Sequence, residues 1–267
     1  MSIANRVSGV MSPHPVVLRP FDTAERARDL FVEYGFTIAP VVDASGHLCG
    51  VVCAGDLIER VAPDAERRTL LGDMMTRDPV TIRRSATVAD AARLMAVTGT
   101  HHLVVVDPGP TPVGVISTID VARAMADGTF PQPVRWVMSP EVLTIDVGTT
   151  LAEARRELED WGVTTAVVVD QGSPVGALSH LSLLRAEEED EEVSPEDSVD
   201  TVMDRAIRSV GEDTSIEEAA RLVAEEEVRR ILVMDGDMDI VGIVTATDLA
   251  HFVGRLIDLD GAEEEEP

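Results

Sequence analysis

Gly114-Val-Ile-Ser-Thr-Ile-Asp120 decides the reading of this chain: a short apolar strand runs into a small polar residue, with a carboxylate three positions on. Three other stretches follow the pattern, Gly50-Val-Val-Cys-Ala-Gly-Asp56, Gly176-Ala-Leu-Ser-His-Leu-Ser182 and Gly242-Ile-Val-Thr-Ala-Thr-Asp248. Their glycines stand 64, 62 and 66 residues apart, so one unit repeats along the chain. Two more landmarks keep the period. Met11-Ser, Met75-Thr, Met138-Ser and Met203-Asp each precede an apolar stretch, and Val41-Val-Asp43, Val105-Val-Asp107, Val168-Val-Asp170 and Val233-Met-Asp235 end strand-like runs six or seven residues before the glycine.

The second copy shows the elements most plainly. Asp78-Pro79 opens a short strand over Val80 to Ile82, and Thr87 with Asp90 forms a capping box at a helix start. Val88, Ala91, Ala92 and Met95 give that helix one apolar face, and Gly99 closes it. Leu103 to Val106 reads as a buried strand, Gly114 to Ser117 as the next, and Thr118 to Met125 as a second helix. The first cap recurs as Thr150/Glu153 and Ser215/Glu218, while Thr23/Arg26 predicts a weaker one. The fold class is therefore α/β (α+β), four β-α-β-β-α repeats. A unit of about 60 residues buries too little surface to stand alone, so the repeats are expected to pair, 1 with 2 and 3 with 4. The expected boundaries are 1–66, 67–130, 131–186 and 199–258 for the repeats, with an acidic linker at 187–198 and an acidic tail at 259–267.

Met75-Thr-Arg-Asp-Pro-Val80, the Val-Val-Asp strand end and the Gly-apolar-apolar-Ser/Thr-x-x-Asp turn resemble the CBS domain, named from cystathionine β-synthase. The resemblance covers nearly all of residues 8 to 254, closely in repeats 2 and 4. It implies pseudo-two-fold Bateman modules, each of two repeats, and a disc of four repeats as in the gamma subunit of AMP-activated protein kinase. It also implies a regulatory sensor that holds an adenosyl ligand (AMP, ADP, ATP or S-adenosylmethionine) in clefts between repeats, needs no cofactor for catalysis, modulates an unidentified protein and can form a homodimer.

A helix start offers unpaired N–H groups and a positive dipole end, which suit phosphate. The resemblance gives Asp120 and Asp248 the ribose hydroxyls, with Ser117 and Thr245 near the phosphate. Repeat 1 keeps Asp56 but has Cys53 for the hydroxyl, and repeat 3 keeps Ser179 but has Ser182 for the acid. Ser/Thr-x-x-Asp is equally a helix cap, and that alternative stays open. His101 and His102 precede one central strand and Arg229 and Arg230 another, whereas Thr37-Ile38 and Thr164-Thr165 occupy the matching places without charge. The resemblance puts these positions, and Thr76, in the ligand cleft. Guanidinium and protonated imidazole both suit phosphate.

The net charge is −27, from 49 acidic and 22 basic residues, and the sequence holds no Lys. Apolar patterning persists under this surplus, so it reads as adaptation to molar salt, as in a halophile, rather than disorder. It excludes a basic face for nucleic acid, and 3% aromatics are too few for base stacking. No apolar run reaches membrane length and no signal peptide opens the chain, so a soluble cytoplasmic protein is expected. Cys49 and Cys53 are expected to be buried thiols: on a strand they lie about 13 Å apart, too far for one metal. His180, inside the repeat 3 turn, is expected at the surface, and His251 in the last helix is expected to be structural. No nucleophile–base pair or phosphate loop stands out, so a binding protein is expected rather than an enzyme. The alternative is a scaffold disc with vestigial clefts.

Overall fold

The computed structural model describes residues 3–60, 68–189, 193–226 and 230–263. Repeat 1 has β1 (Ser12–Pro13), α1 (Ala24–Tyr34), β2 (Ile38–Val42), β3 (Leu48–Cys53) and α2 (Ala54–Arg60). Repeat 2 has α3 (Leu71–Met74), β4 (Thr76–Arg77), β5 (Thr81–Arg83), α4 (Val88–Thr98), β6 (His102–Val106), β7 (Pro112–Ser117) and α5 (Thr118–Met125). Repeat 3 has β8 (Thr144–Asp146), α6 (Leu151–Trp161), β9 (Thr165–Asp170), β10 (Ser173–Ser179) and α7 (His180–Glu189). Repeat 4 has β11 (Ser209–Gly211), α8 (Ile216–Glu226), β12 (Arg230–Met234), β13 (Ile240–Thr245) and α9 (Ala246–Glu263). In repeats 2 to 4 a short strand runs parallel to the first strand of an antiparallel hairpin (β5 to β6, β8 to β9, β11 to β12). Repeat 1 keeps only a parallel bridge, Leu18 to Val41.

Local chemistry sets the helix ends. Thr87/Asp90 and Thr150/Glu153 form complete capping boxes, whereas Thr23 only accepts the Arg26 N–H. Gly99 and Gly162 close α4 and α6 in the left-handed conformation, at φ 66° and 63°, where a side chain would be strained.

The repeating Met and the repeating Gly turn out to be one feature. The segment leading into each repeat pairs with the hairpin of its sequence neighbour: β1 with β7, β4 with β3, Ser139 with Ile243 and Asp204 with Ala177. Each exchanged segment lays its Met over the neighbour's Gly. A Cβ at Gly50 or Gly114 would stand 2.5 Å from the sulfur of Met75 or Met11, and at Gly242 2.7 Å from that of Met138. The flexible thioether fills the space that glycine leaves.

The chain divides into two compact units. Unit 1 comprises 1–15, 79–141 and 208–267, and unit 2 comprises 16–78 and 142–207. The exchange of leading segments links repeats 1 with 2 and 3 with 4, the pairing expected from chain order, while the helix-built core described within each unit joins alternate repeats. In unit 1, Val88, Ala92 and Met95 of α4 share a core with Val223 of α8 and Leu249 and Val253 of α9. The sequence shows that helix faces are apolar but not which faces meet. Here the match is steric: a Cβ at Gly254 of α9 would lie 3.0 Å from both the Ala92 oxygen and the Ala96 Cβ, so the backbones of α4 and α9 approach closely. In unit 2, Ala27 and Phe31 of α1 share a core with Leu158 of α6 and Leu183 and Leu184 of α7.

The stretch 187–198, expected as a solvated linker, is not uniform. α7 continues to Glu189, and the Leu151 and Ala152 N–H groups donate to the carbonyls of Asp197 and Pro195. Residues 190–192 lie outside the described residues. α9 runs on to Glu263, into the stretch expected as tail, whose last part, 264–267, also lies outside them. Among the described residues, no helix is long and apolar enough to cross a membrane.

Candidate functional site

The four strand-to-helix turns share one register. The residue opening each central strand lies opposite the small residue at the turn: Ile38 opposite Cys53, His102 opposite Ser117, Thr165 opposite Ser179 and Arg230 opposite Thr245. In repeats 2 and 4 a basic residue therefore shares a strand end with a hydroxyl. Arg229 lies outside the described residues.

Each complete turn is a capping box. Asp120 Oδ2 accepts from the Ser117 N–H and hydroxyl, both at 2.8 Å, and Asp248 Oδ2 accepts from those of Thr245, both at 2.7 Å. In repeat 1 the Cys53 N–H alone donates to Asp56 Oδ2, at 2.8 Å. Capping uses one oxygen of each carboxylate; the other is where the repeats differ. Asp56 Oδ1 is 3.1 Å from the Arg60 guanidinium, Asp120 Oδ1 is 3.7 Å from that of Arg123, and Asp248 Oδ1 receives, among the described residues, the Ser139 hydroxyl at 3.5 Å. Burial pushes the carboxyl pKa of Asp120 and Asp248 up, against the hydrogen bonds from Ser117 and Thr245 that pull it down. Among the described residues the outer oxygen of the half-buried Asp248 thus meets a hydroxyl where the other two meet a guanidinium.

Around Asp248 the two repeats of unit 1 meet. His101, expected to serve the turn of its own repeat, has Nδ1 2.9 Å from the Thr247 hydroxyl of repeat 4. His251 sits one helical turn beyond Asp248, and its Nε2 is enclosed with no hydrogen-bond partner among the described residues. Burial lowers the pKa of both imidazoles; each ring acts electrostatically with Asp248, and His251 further lowers that of His101. The sequence reading missed Thr247, Ser139 and the proximity of His251. The spacing Asp248-x-x-His251, which puts both side chains on one helix face, was the available signal.

The turns of unit 2 are closed from within. Arg60 holds Asp56 and also donates to the Met74 carbonyl at 2.9 Å. In repeat 3, Ser182 takes the place of the acid: its hydroxyl lies 2.9 Å from that of Ser179, and its N–H donates to Ser179 Oγ at 3.2 Å. His180, expected at the surface, is 5% exposed. Burial, with Arg155 nearby, pushes its pKa down to about 4. Because the folded value lies below the unfolded one, neutral His180 supports the fold above about pH 6.5, and that support fades as the pH falls towards 4. It is worth up to about 3 kcal/mol. Urea midpoints for wild type and His180→Gln should therefore converge between pH 6.5 and pH 4; a constant gap would contradict this.

Cys49 and Cys53 are half-buried rather than buried, and burial pushes the Cys53 thiol up to about 12. Among the described residues no group of three or more His, Cys, Asp or Glu is placed to hold a metal ion. Thr76 is exposed on β4, paired with Val51 of repeat 1 and remote in sequence from the turns.

The CBS domain family model matches residues 7–63, 71–127, 135–189 and 198–255. The chain belongs to the CBS domain family. An uncharacterised protein of Methanocaldococcus jannaschii is 27% identical over 170 residues, covering 58% of this chain and 40% of that one. The chain thus spans well under two thirds of the length of that curated relative. A crystal structure from the same organism, described as a proposed archaeal homologue of g-AMPK, superposes with a TM-score of 0.83 at 17% identity, covering 93% of this chain and 99% of that one. It shares the four-repeat fold, consistent with Bateman modules. CBSX2 of Arabidopsis thaliana, solved in complex with AMP, is 32% identical, covering 45% of this chain and 94% of that one, with a TM-score of 0.40.

Proposed function

We propose that this CBS protein is a regulatory adenosyl-ligand sensor rather than an enzyme, binding at the turns of repeats 2 and 4 and modulating a partner protein in the cytoplasm. The carrying observation is the outer oxygen of the half-buried Asp248, which among the described residues meets a single hydroxyl at 3.5 Å. A desolvated carboxylate short of partners is costly, and the two hydroxyls of a ribose would supply them. Ser117 and Asp120 form the second such turn, with the outer oxygen held only loosely by Arg123. His102 and Arg230, across from the two hydroxyls, and Arg229 beside Arg230 are the cations for a phosphate. Family membership supports the ligand class; AMP itself is what CBSX2 holds. Thr76 and Asp56 contribute less, Asp56 because Arg60 already neutralises it.

A thermal-shift screen of AMP, ADP, ATP and S-adenosylmethionine in molar KCl tests the reading. High salt is needed because a surface carrying a net −27 repels polyanions in dilute buffer. A ligand at a hundred times its Kd should stabilise the protein by about 2.7 kcal/mol. A flat response to all four would sink the sensor reading and favour the scaffold alternative. The closed turns of repeats 1 and 3 already favour a scaffold role for unit 2, including contact with a partner or a second copy.

A further inference from the structure

The long helix that follows the first strand position of each repeat, α1, α4, α6 or α8, spans 11 residues in all four, so their last residues are equivalent positions. In unit 2 these are Tyr34 and Trp161; in unit 1 they are Thr98 and Glu226. Tyr34 is the chain's one tyrosine and Trp161 one of its two tryptophans, and they are 59% and 51% exposed. The Tyr34 ring stacks on Phe36, with centroids 6.0 Å and planes 15° apart, and Phe36 meets the buried Phe31 edge-on at 5.4 Å. One face of Tyr34 is thus anchored while much of the ring stays in solvent. Exposed rings of this kind are what interfaces concentrate.

Charge runs against stability at the same two ends. A helix C-terminus is the negative end of the helix dipole, where a cation is favoured. The last turns of α1 and α6 hold no basic residue, and they carry Glu33 and the pair Glu159 and Asp160, all exposed. The last turn of α4, Met95 to Thr98, has neither an acid nor an aromatic ring, and the Thr98 hydroxyl donates to the Leu94 carbonyl. α8 ends on Glu225 and Glu226 without an aromatic ring. Of the four helices, α1 and α6 alone combine ring, carboxylate and negative helix end, and they belong to the unit whose turns are closed from within.

We propose that the C-terminal ends of α1 and α6 are docking points for arginine side chains of a partner protein, which makes unit 2 the partner-binding half of the molecule. This rests on the reading above for the existence of a partner and gives that partner a basic, arginine-bearing surface. A guanidinium supplies what each end lacks: a positive charge for the carboxylates and the helix dipole, and a planar face for the ring. The ring is needed because molar salt shortens the Debye length to about 3 Å, and stacking at contact outlasts that screening. A second copy of this chain is the poorer occupant, since a net charge of −27 repels itself.

Each end carries its own probe. In Trp136→Phe, Trp161 is the sole tryptophan and its fluorescence reports the end of α6; fluorotyrosine labelling places a single resonance at Tyr34, at the end of α1. The titrant is an alanine pentapeptide with one central arginine, compared with its glutamine and glutamate analogues. In molar KCl the arginine peptide should shift both signals saturably and bind about two- to fivefold more tightly than the glutamine peptide, the margin of a surface cation–π contact. In dilute KCl the margin should widen, and Glu159→Gln with Asp160→Asn should narrow it at Trp161 while leaving Tyr34 unchanged. The positions changed are all exposed, where substitutions leave a fold intact. Equal binding of the arginine and glutamine peptides, or silence of both probes, would overturn the proposal. So would self-association of the wild type that Trp161→Ala abolishes, which gives the ends to a second copy, or saturable quenching of Trp161 by adenosine, which gives that ring to a ligand. The thermal-shift screen reads the turns of repeats 2 and 4, so either reading can fail without the other.

Discussion

Gly176→Ala is expected to cost about 2–3 kcal/mol of unfolding free energy, far more than the loss of a glycine's backbone freedom would suggest. A Cβ at this position would stand 2.8 Å from the Met203 sulfur and 2.8 Å from the backbone oxygen of Asp204. The sulfur can swing aside, but the carbonyl cannot. Asp204 is tied to Ala177 by two backbone hydrogen bonds, of 2.8 and 2.9 Å, so retreat from the new methyl breaks a ladder pair. The same substitution at Gly114 should cost less, about 1 kcal/mol, because its closest neighbour is the movable sulfur of Met11, with the Ser12 oxygen at 3.0 Å. Gly148→Ala is the control: its nearest neighbour is a side-chain oxygen at 3.7 Å. Denaturant unfolding in molar KCl should rank the three Gly176, Gly114, Gly148. Equal losses at all three would show that the exchanged segments do not hold the repeats together.

Asp248→Asn should abolish most of the ligand-induced rise in Tm while leaving the unliganded protein folded. Asparagine can still cap the helix through its carbonyl oxygen, so the box is weakened rather than lost. The removed negative charge is what a ribose would address, and a hydrogen bond to a charged group is worth about 1.5–3 kcal/mol, or roughly ten- to a hundredfold in affinity. Asp120→Asn should lose less, because Arg123 already shares that carboxylate, and Asp56→Asn should change nothing, because Arg60 sits 3.1 Å from its outer oxygen. Thermal shifts of the three variants with the best ligand of the screen would show this order. A loss at Asp56 equal to that at Asp248 would reverse the assignment of turns.

Much of each repeat could be read from residues close in sequence. Thr87/Asp90 and Thr150/Glu153 predict complete capping boxes, and both are present; Thr23/Arg26 predicts a weak one, and the reciprocal bond is missing. α5 spans the expected Thr118 to Met125. These features depend on spacings of three or four residues, which the backbone fixes by itself. His180 and His101 escaped for the opposite reason. Burial of the first and the repeat 4 partner of the second come from elements far along the chain. At 187–198 charge predicts solvation of the side chains and says nothing of the backbone, whose carbonyls at Pro195 and Asp197 satisfy the first N–H groups of α6.

By itself, the sequence determined that four units repeat, which elements each contains, and that only repeats 2 and 4 combine a hydroxyl, a carboxylate and a basic strand opening. It could not determine which repeats share a core. Apolar helix faces are interchangeable as hydrophobic surfaces, and the choice fell to shape, with Gly254 admitting α4 to α9. Nor could it separate three similar aspartates. Arg60, Arg123 and Ser139 reach their outer oxygens at 3.1, 3.7 and 3.5 Å, and only the folded chain sets those distances.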